Sequence, residues 1–149
     1  MENTKTLAQN KKARHNYFIT ETIESVLAQT YTNWEMIIVD DCSSDGSYEI
    51  ALEYEKQDSR IKVLKNVKNS GAAVSRNKAI ELSQGEYLAF LDSDDLWMPE
   101  KLEKQLKFMQ ENNCDFSFTE YEHIDESNQS LLKVAKVIKK LTYNKMMFH

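Results

Sequence analysis

The 149-residue sequence predicts one α/β domain built on a mainly parallel sheet. Three observations predict it. Short apolar or β-branched runs alternate with segments of helical period, an order that implies strand–helix–strand crossovers. Acidic clusters stand where two of those runs end, and open parallel sheets bind their ligands at such ends. The apolar share of 41% on this length supplies one core and not two.

The elements follow in order. Residues 1–16 place Lys5, Lys11, Lys12 and Arg14 among polar neighbours without a sustained apolar period, and they are read as a polar tail. From Tyr17 onward, Phe18, Ile19, Ile23, Val26 and Leu27 recur at three- and four-residue steps, the pattern of a helix ending near Gln29. Met36 to Asp40 is β-branched and continuous enough to be a buried strand. Ser43 to Gly46 is turn and N-cap chemistry, and Ile50, Ala51 and Tyr54 then support a second helix. Ile61 to Leu64 is a short strand. A polar loop through Gly71 leads to a helix from about Ala72 to Leu82, which Gln84 and Gly85 stop. Tyr87 to Leu91 is the next strand. Pro99 suits the first turn of a helix carrying Leu102, Leu106 and Met109 on one face, and the alternation of Asp115 to Thr119 suggests a last strand.

Composition excludes several classes. A net charge of −5 offers no broad basic surface for nucleic acid. The longest apolar runs fall far short of the ~18 residues of a membrane span, and the basic N-terminus lacks the apolar stretch of a secretory signal. A cytoplasmic location is therefore expected. Cys42 and Cys114 are too far apart for a metal-ligand cluster or a disulfide framework and are read as reduced thiols.

The chemistry lies in the acidic ends. Turn and capping roles account for a single aspartate such as Asp45. Asp92, Asp94 and Asp95 within four residues call for more, because carboxylates this close raise one another's pKa unless a cation or water accommodates them. Mg²⁺ and Mn²⁺ take oxygen ligands, often one or two carboxylates beside phosphate and water, so an Asp-x-Asp pair suits a metal diphosphate.

Four segments then carry a resemblance: Thr22-Ile-Glu-Ser-Val-Leu-Ala-Gln-Thr30, Ile38-Val-Asp-Asp-Cys-Ser-Ser-Asp-Gly-Ser47, Asn69-Ser-Gly-Ala-Ala-Val-Ser-Arg-Asn77 and Gly85-Glu-Tyr-Leu-Ala-Phe-Leu-Asp-Ser-Asp-Asp-Leu-Trp97 with Pro99 beyond. In order and spacing they resemble the family 2 glycosyltransferases of the GT-A fold, over roughly residues 17–149. The resemblance implies an incomplete Rossmann-like GT-A sandwich carrying a DXD motif, as in polysaccharide biosynthesis. It implies a UDP- or GDP-linked sugar as donor, a glycan or lipid-linked acceptor that would be met at the inner membrane surface, and Mn²⁺ or Mg²⁺ as cofactor. By position, Asp41 would accept from the base edge with Asp40 in support, Gly71 would let the backbone approach the nucleotide, and Arg76 would lie near base or ribose. Asp92 would hold the ribose side, Asp94 would bind the metal with Asp92 beside it, and Asp95 is a candidate on the acceptor side. Trp97 is read as packing beneath the loop. For Arg76 the bland alternative is a surface salt bridge.

Two departures from the family pattern stand out. Family members begin with an apolar strand and a Pro-x-Tyr-Asn type turn, where this sequence reads Thr6-Leu-Ala-Gln-Asn-Lys-Lys-Ala-Arg-His-Asn16; His15, Asn16 and Tyr17 are the residues nearest the place of that turn. The acceptor-side base belongs to a later segment than His149. Glu120, Glu122, Asp125 and Glu126 lack the motif and are read as solvated loop carboxylates, so the catalytic base is left unassigned. The chain alone is accordingly expected to bind donor in an inverting transferase without transferring sugar, or to be a binding-only relative. A receiver-like signalling domain is the alternative of another class, since Ile37 to Asp41 and the strand ending in Asp92 mimic a receiver's acids. It lacks the receiver's Lys-Pro and leaves the loop 69–77 unexplained.

Overall fold

A computed structural model describes residues 4–9, 17–125 and 128–136. The chain divides into two compact units, Met1–Lys104 and Gln105–His149. In the first, β1 (Thr4–Gln9), β2 (Trp34–Asp40), β3 (Ile61–Lys65) and β4 (Tyr87–Asp92) form one sheet in the order β3-β2-β1-β4, every neighbouring pair parallel. Between them run α1 (Tyr17–Leu27), α2 (Ser47–Gln57) and α3 (Ala72–Leu82), and α4 (Lys101–Asn112) begins after β4.

Strand β2 is buried along its whole length, as its unbroken apolar run predicts. Its side chains alternate between two cores. Met36 and Ile38 join Ile19, Ile23 and Val26 of α1, Ala51 of α2 and Leu102, whereas Ile37 and Val39 meet Ala79 of α3. Helices therefore cover both faces of the centre of the sheet, and β4 is an edge whose Leu88 and Phe90 stay half exposed.

The tail expected over residues 1–16 is corrected by β1. Thr4–Gln9 takes the place where the resemblance puts an apolar first strand, paired in register with β2 from Thr4↔Trp34 to Gln9↔Val39 and with β4 from Thr4↔Tyr87 to Gln9↔Asp92. Apolar content alone misses it because strand formation depends on cross-strand neighbours more than on intrinsic preference, and a slot with a strand on each side satisfies backbone groups in both directions. His15 and Asn16 lie outside the described residues.

In the second unit, the strand expected at Asp115 to Thr119 is absent. Gln105 Nε2 donates to the Ser117 carbonyl at 3.3 Å and to its Oγ at 2.9 Å, so a side chain takes an acceptor that a ladder would need. The strands that form are β5 (Tyr121–Ile124) and β6 (Ser130–Ala135), an antiparallel pair.

Candidate functional site

Parallel strands gather their carboxyl ends on one edge of the sheet. Here β2 ends at Asp40 and β4 at Asp92, with β1 between them and Gln9 in register with both Val39 and Asp92. Two strand spacings put the two acidic ends roughly 10 Å apart. The sheet thus brings Asp40, Asp41, Asp92 and Asp94 to one edge.

Each carboxylate has its own surroundings. Asp40 is buried, accepts from the Ser43 N–H at 3.2 Å and lies 3.9 Å from Lys65 Nζ. Asp41 follows it, and Cys42 then turns the chain with a φ of 65°. The Asp41 Oδ1 accepts from Asn66 Nδ2 and the Ser70 N–H, both at 2.8 Å, and Oδ2 accepts from the Gly71 N–H at 2.7 Å. Burial pushes the Asp41 carboxyl up, but the donors from Asn66, Ser70 and Gly71 together outweigh it and hold the group below the usual carboxylate range. Gly71 can present its N–H there because its φ of 84° and ψ of 165° lie in a region essentially reserved for glycine. Asp45, read from sequence as a turn residue, accepts from the Ser47 N–H at 3.1 Å and the Ser47 hydroxyl at 2.6 Å at the start of α2.

On the other side, Arg76 Nη2 donates to Asp92 Oδ1 at 2.6 Å, with both side chains partly exposed. Arg76 is thereby tied to the β4 end and not to the β2 end. Asp94 is exposed and makes no hydrogen bond among the described residues, while Asp95 is exposed on the same turn and its N–H donates to the Asp92 carbonyl at 3.1 Å. No group of three or more His, Cys, Asp or Glu that would hold a metal by itself occurs among the described residues. The donor set at hand is one free carboxylate with Asp92 nearby. That suits a hard cation that keeps most of its positions for phosphate and water.

Sequence reasoning missed the supports of these carboxylates. The buried Thr22 hydroxyl donates to the carbonyls of Ser93 at 2.9 Å and Asp95 at 3.0 Å, clasping the acidic turn from α1. Ser25 Oγ accepts from the Trp97 N–H at 3.2 Å. Gln29 donates to the Met98 carbonyl at 2.8 Å and accepts from the Leu102 N–H at 3.0 Å. Thr22 and Ser25 sit on α1 between its apolar positions and Gln29 follows two residues past its end, and a polar residue recurring at helical spacing beside a core-facing run is the signal that would have marked them. Trp97 packs partly buried against the core, with Lys101 Nζ 3.9 Å above its ring. Of the later carboxylates, Glu122 accepts from the Ser130 hydroxyl and Asp125 from the Gln129 N–H at 2.9 Å, both exposed in the β5–β6 unit; Glu120 is exposed and Glu126 lies outside the described residues.

Residues 14–148 match Glycosyl transferase family 2. The chain belongs to that family. Among its relatives, TuaG of Bacillus subtilis (strain 168), named as a glycosyltransferase of teichuronic acid biosynthesis, is 54% identical over 85% of this chain and 50% of its own. The UDP-Glc:alpha-D-GlcNAc-diphosphoundecaprenol beta-1,3-glucosyltransferase WfgD of Escherichia coli is 45% identical over 87% of this chain and 49% of its own. Among solved structures, S. aureus TarS 1–349 in complex with UDP-GlcNAc superposes with a TM-score of 0.66 at 29% identity, covering 74% of this chain and 32% of TarS 1–349. The mannosyltransferase PcManGT from Pyrobaculum calidifontis, at 21% identity and a TM-score of 0.63 over 70% of this chain and 32% of its own, shares the fold.

This family 2 chain thus has the GT-A architecture and spans about half the length of the curated relatives it matches. The receiver alternative falls away. Besides the family match, β1 lies between the two acidic strand ends, whereas a receiver places the corresponding strands side by side. No helix among the described residues is long and apolar enough to cross a membrane.

Proposed function

We propose that this chain binds the nucleoside diphosphate of a UDP- or GDP-linked sugar across the carboxyl edge of its sheet, as the donor side of an inverting glycosyltransferase. The observation that carries the proposal is the pairing of Asp40–Asp41 after β2 with Asp92–Asp94 after β4 on either side of β1. WfgD, by its name, uses UDP-Glc and a lipid diphosphate acceptor, and TarS was solved with UDP-GlcNAc; both support a nucleotide-linked donor, and WfgD a lipid-linked acceptor.

In this proposal Asp41 accepts one N–H from the base edge, and the Arg76–Asp92 pair faces the ribose with Asp92 as the acceptor for its hydroxyls. Asp94, with Asp92 beside it, holds Mg²⁺ or Mn²⁺. When bound, such an ion supplies positive charge against the charge that develops on the departing diphosphate. The turn 92–95 keeps its carboxylates in place through the α1 clasp, so little reorganisation is needed when the nucleotide arrives.

Calorimetry with UDP and GDP, with Mn²⁺ and with excess chelator, tests this. Metal-dependent binding that falls about tenfold or more in Asp94→Ala and is unchanged in Asp45→Ala supports it. Equal affinity in chelator would remove the metal from the proposal, and no binding of either nucleotide would end it.

A further inference from the structure

The buried Asn66, one residue past the end of β3, is a hub that the assigned roles leave unused. Its Nδ2 donates to Asp41 Oδ1 at 2.8 Å and to Ser75 Oγ at 2.9 Å. Its Oδ1 accepts from Lys78 Nζ at 3.2 Å. Its backbone N–H donates to the Asp40 carbonyl at 2.8 Å, and its own carbonyl accepts the Cys42 thiol at 3.2 Å. Lys78 can only donate and Asp41, ionised, can only accept, so the amide has one consistent orientation, with both Nδ2 hydrogens used.

A carboxylate offers about four acceptor positions. Asn66 and the Ser70 N–H occupy two on Oδ1 of Asp41, and the Gly71 N–H occupies one on Oδ2. One position is left, on Oδ2. A single fixed acceptor pairs with a base edge that carries a ring N–H and meets a ring acceptor with repulsion or an unfilled bond. Uracil and guanine present such an N–H; cytosine and adenine present a ring acceptor in its place.

We propose that Asn66 is a positioning residue that sets nucleobase selectivity: by filling one acceptor position of Asp41 while Ser75 and Lys78 lock its amide, it leaves the carboxylate one acceptor for a ring N–H. This rests on the proposal that Asp41 meets the base, and the experiment separates the two. Charged and titratable groups around the network are Asp40, Lys65, Lys78 and the Cys42 thiol. Without the Asn66 donor, Asp41 remains an acceptor but a water takes the vacated place, and because water can turn either a donor or an acceptor to the base, the distinction between the two kinds of base edge weakens. With Asn66→Asp, two adjacent carboxyls share a proton, which turns one of them into a donor suited to a ring acceptor.

The experiment is calorimetric titration of the full chain with UDP, GDP, CDP and ADP in Mn²⁺, for wild type, Asn66→Ala, Asn66→Asp and Lys78→Met, with thermal melts alongside. The wild type is expected to prefer UDP or GDP over CDP and ADP by about tenfold or more. In Asn66→Ala that ratio falls to within about threefold, and in Asn66→Asp CDP binding strengthens as UDP binding weakens. A purely structural role would lower the Tm, or all four affinities together, and leave the ratios alone; unchanged ratios overturn the inference while nucleotide binding stands. A wild type that binds UDP and CDP equally overturns it as well. A wild type that binds no nucleotide sinks the Asp41 assignment and this inference together. Should both Asn66 variants fail to fold, Lys78→Met decides. It frees the amide to flip, and a ratio kept at the wild-type value refutes the lock.

Discussion

The clasp between α1 and the acidic turn makes a specific demand on one hydroxyl. Thr22 is 1% exposed, and its Oγ1 is a shared donor to the Ser93 and Asp95 carbonyls. In Thr22→Val the shape is nearly kept and the donor is lost. Two carbonyls deprived of a buried donor cost about 1–3 kcal/mol. The methyl that replaces the hydroxyl returns about 0.8 kcal/mol of burial, so a net loss of ~1–2 kcal/mol is expected. For a chain of this size that is a fall in Tm of about 3–6 °C by calorimetry or circular dichroism. Stability alone does not separate hydroxyl from packing, so Thr22→Ser is the companion: it keeps the donor and loses a buried methyl, at about 1 kcal/mol. The functional readout then divides them. Nucleotide affinity in Mn²⁺ should drop in Thr22→Val, because the turn carrying Asp92 and Asp94 loosens, and should persist in Thr22→Ser despite a similar Tm. A valine variant with a Tm within about 1 °C of wild type and unchanged affinity would show that the hydroxyl does not hold the turn.

Three further predictions concern the same edge of the sheet. Asp41 titrates below its ordinary value of 3.8, so the unfolded chain binds more protons as acid is added, and its contribution is complete above about pH 4 and lost as pH falls through the native value. Asp41→Asn should flatten that part of the stability curve in urea melts across the acid range; an unchanged acid limb would contradict it. Gly71→Ala meets open space but imposes a side chain at φ 84°, and should cost about 1–3 kcal/mol and weaken nucleotide binding through the Gly71 N–H; a denaturant midpoint equal to wild type would show that the backbone relaxes without penalty. Burial lowers Lys101 from 10.5 to about 8, so stability should rise with pH between those values, where the unfolded chain holds the extra proton. NMR of the methylated lysine should show the midpoint, and a value at or above 10 would refute the burial.

Much of the fold was legible because its signals are periodic. The unbroken run of β2 reports burial on both faces, and the spacing of Ile19, Ile23 and Val26 reports the face of α1 that meets it. β1 was illegible by the same criterion. Thr4–Gln9 holds its place through backbone pairing on two sides, a property of its neighbours and not of its own composition. The segment Asp115 to Thr119 erred the other way, since alternation describes a strand only when an edge is free to pair, and Gln105 occupies the Ser117 carbonyl instead. At the site, the acidic residues announced themselves as clusters of like charge, whereas Thr22, Gln29 and Asn66 are single neutral side chains whose roles exist only once distant segments meet.

The supports also sort the carboxylates by what each has left to offer. Like charges on one edge repel, and every carboxylate that is satisfied internally loses part of its capacity for a ligand. Asp40 is buried and engaged by the Ser43 N–H near Lys65, which fits it for holding the turn after β2. Asp41 keeps one acceptor position, enough for one N–H and too little for a cation. Asp92 has a guanidinium on one oxygen, so any hydroxyl or ion it meets must do so beside Arg76. Asp94 alone of these four is exposed with its acceptor capacity unspent on the described residues. A divalent cation needs a hard, uncommitted oxygen at a place that phosphate and water can also reach. Under the proposed function, the same accounting assigns the base to the β2 side, where the acceptor is singular, and the diphosphate to the β4 side, where the open carboxylate is. Arg76→Lys tests that polarity: it keeps a charge but loses the guanidinium's directed hydrogen bond to Asp92 Oδ1. Without the guanidinium on its Oδ1, Asp92 offers that oxygen beside Asp94, so Mn²⁺ should bind more tightly in the absence of nucleotide, by electron paramagnetic resonance titration, while selectivity among UDP, GDP, CDP and ADP stays at the wild-type ratio. Altered base selectivity with unchanged Mn²⁺ affinity would instead place Arg76 at the base, and the two ends of the nucleotide would have to be exchanged along the edge of the sheet.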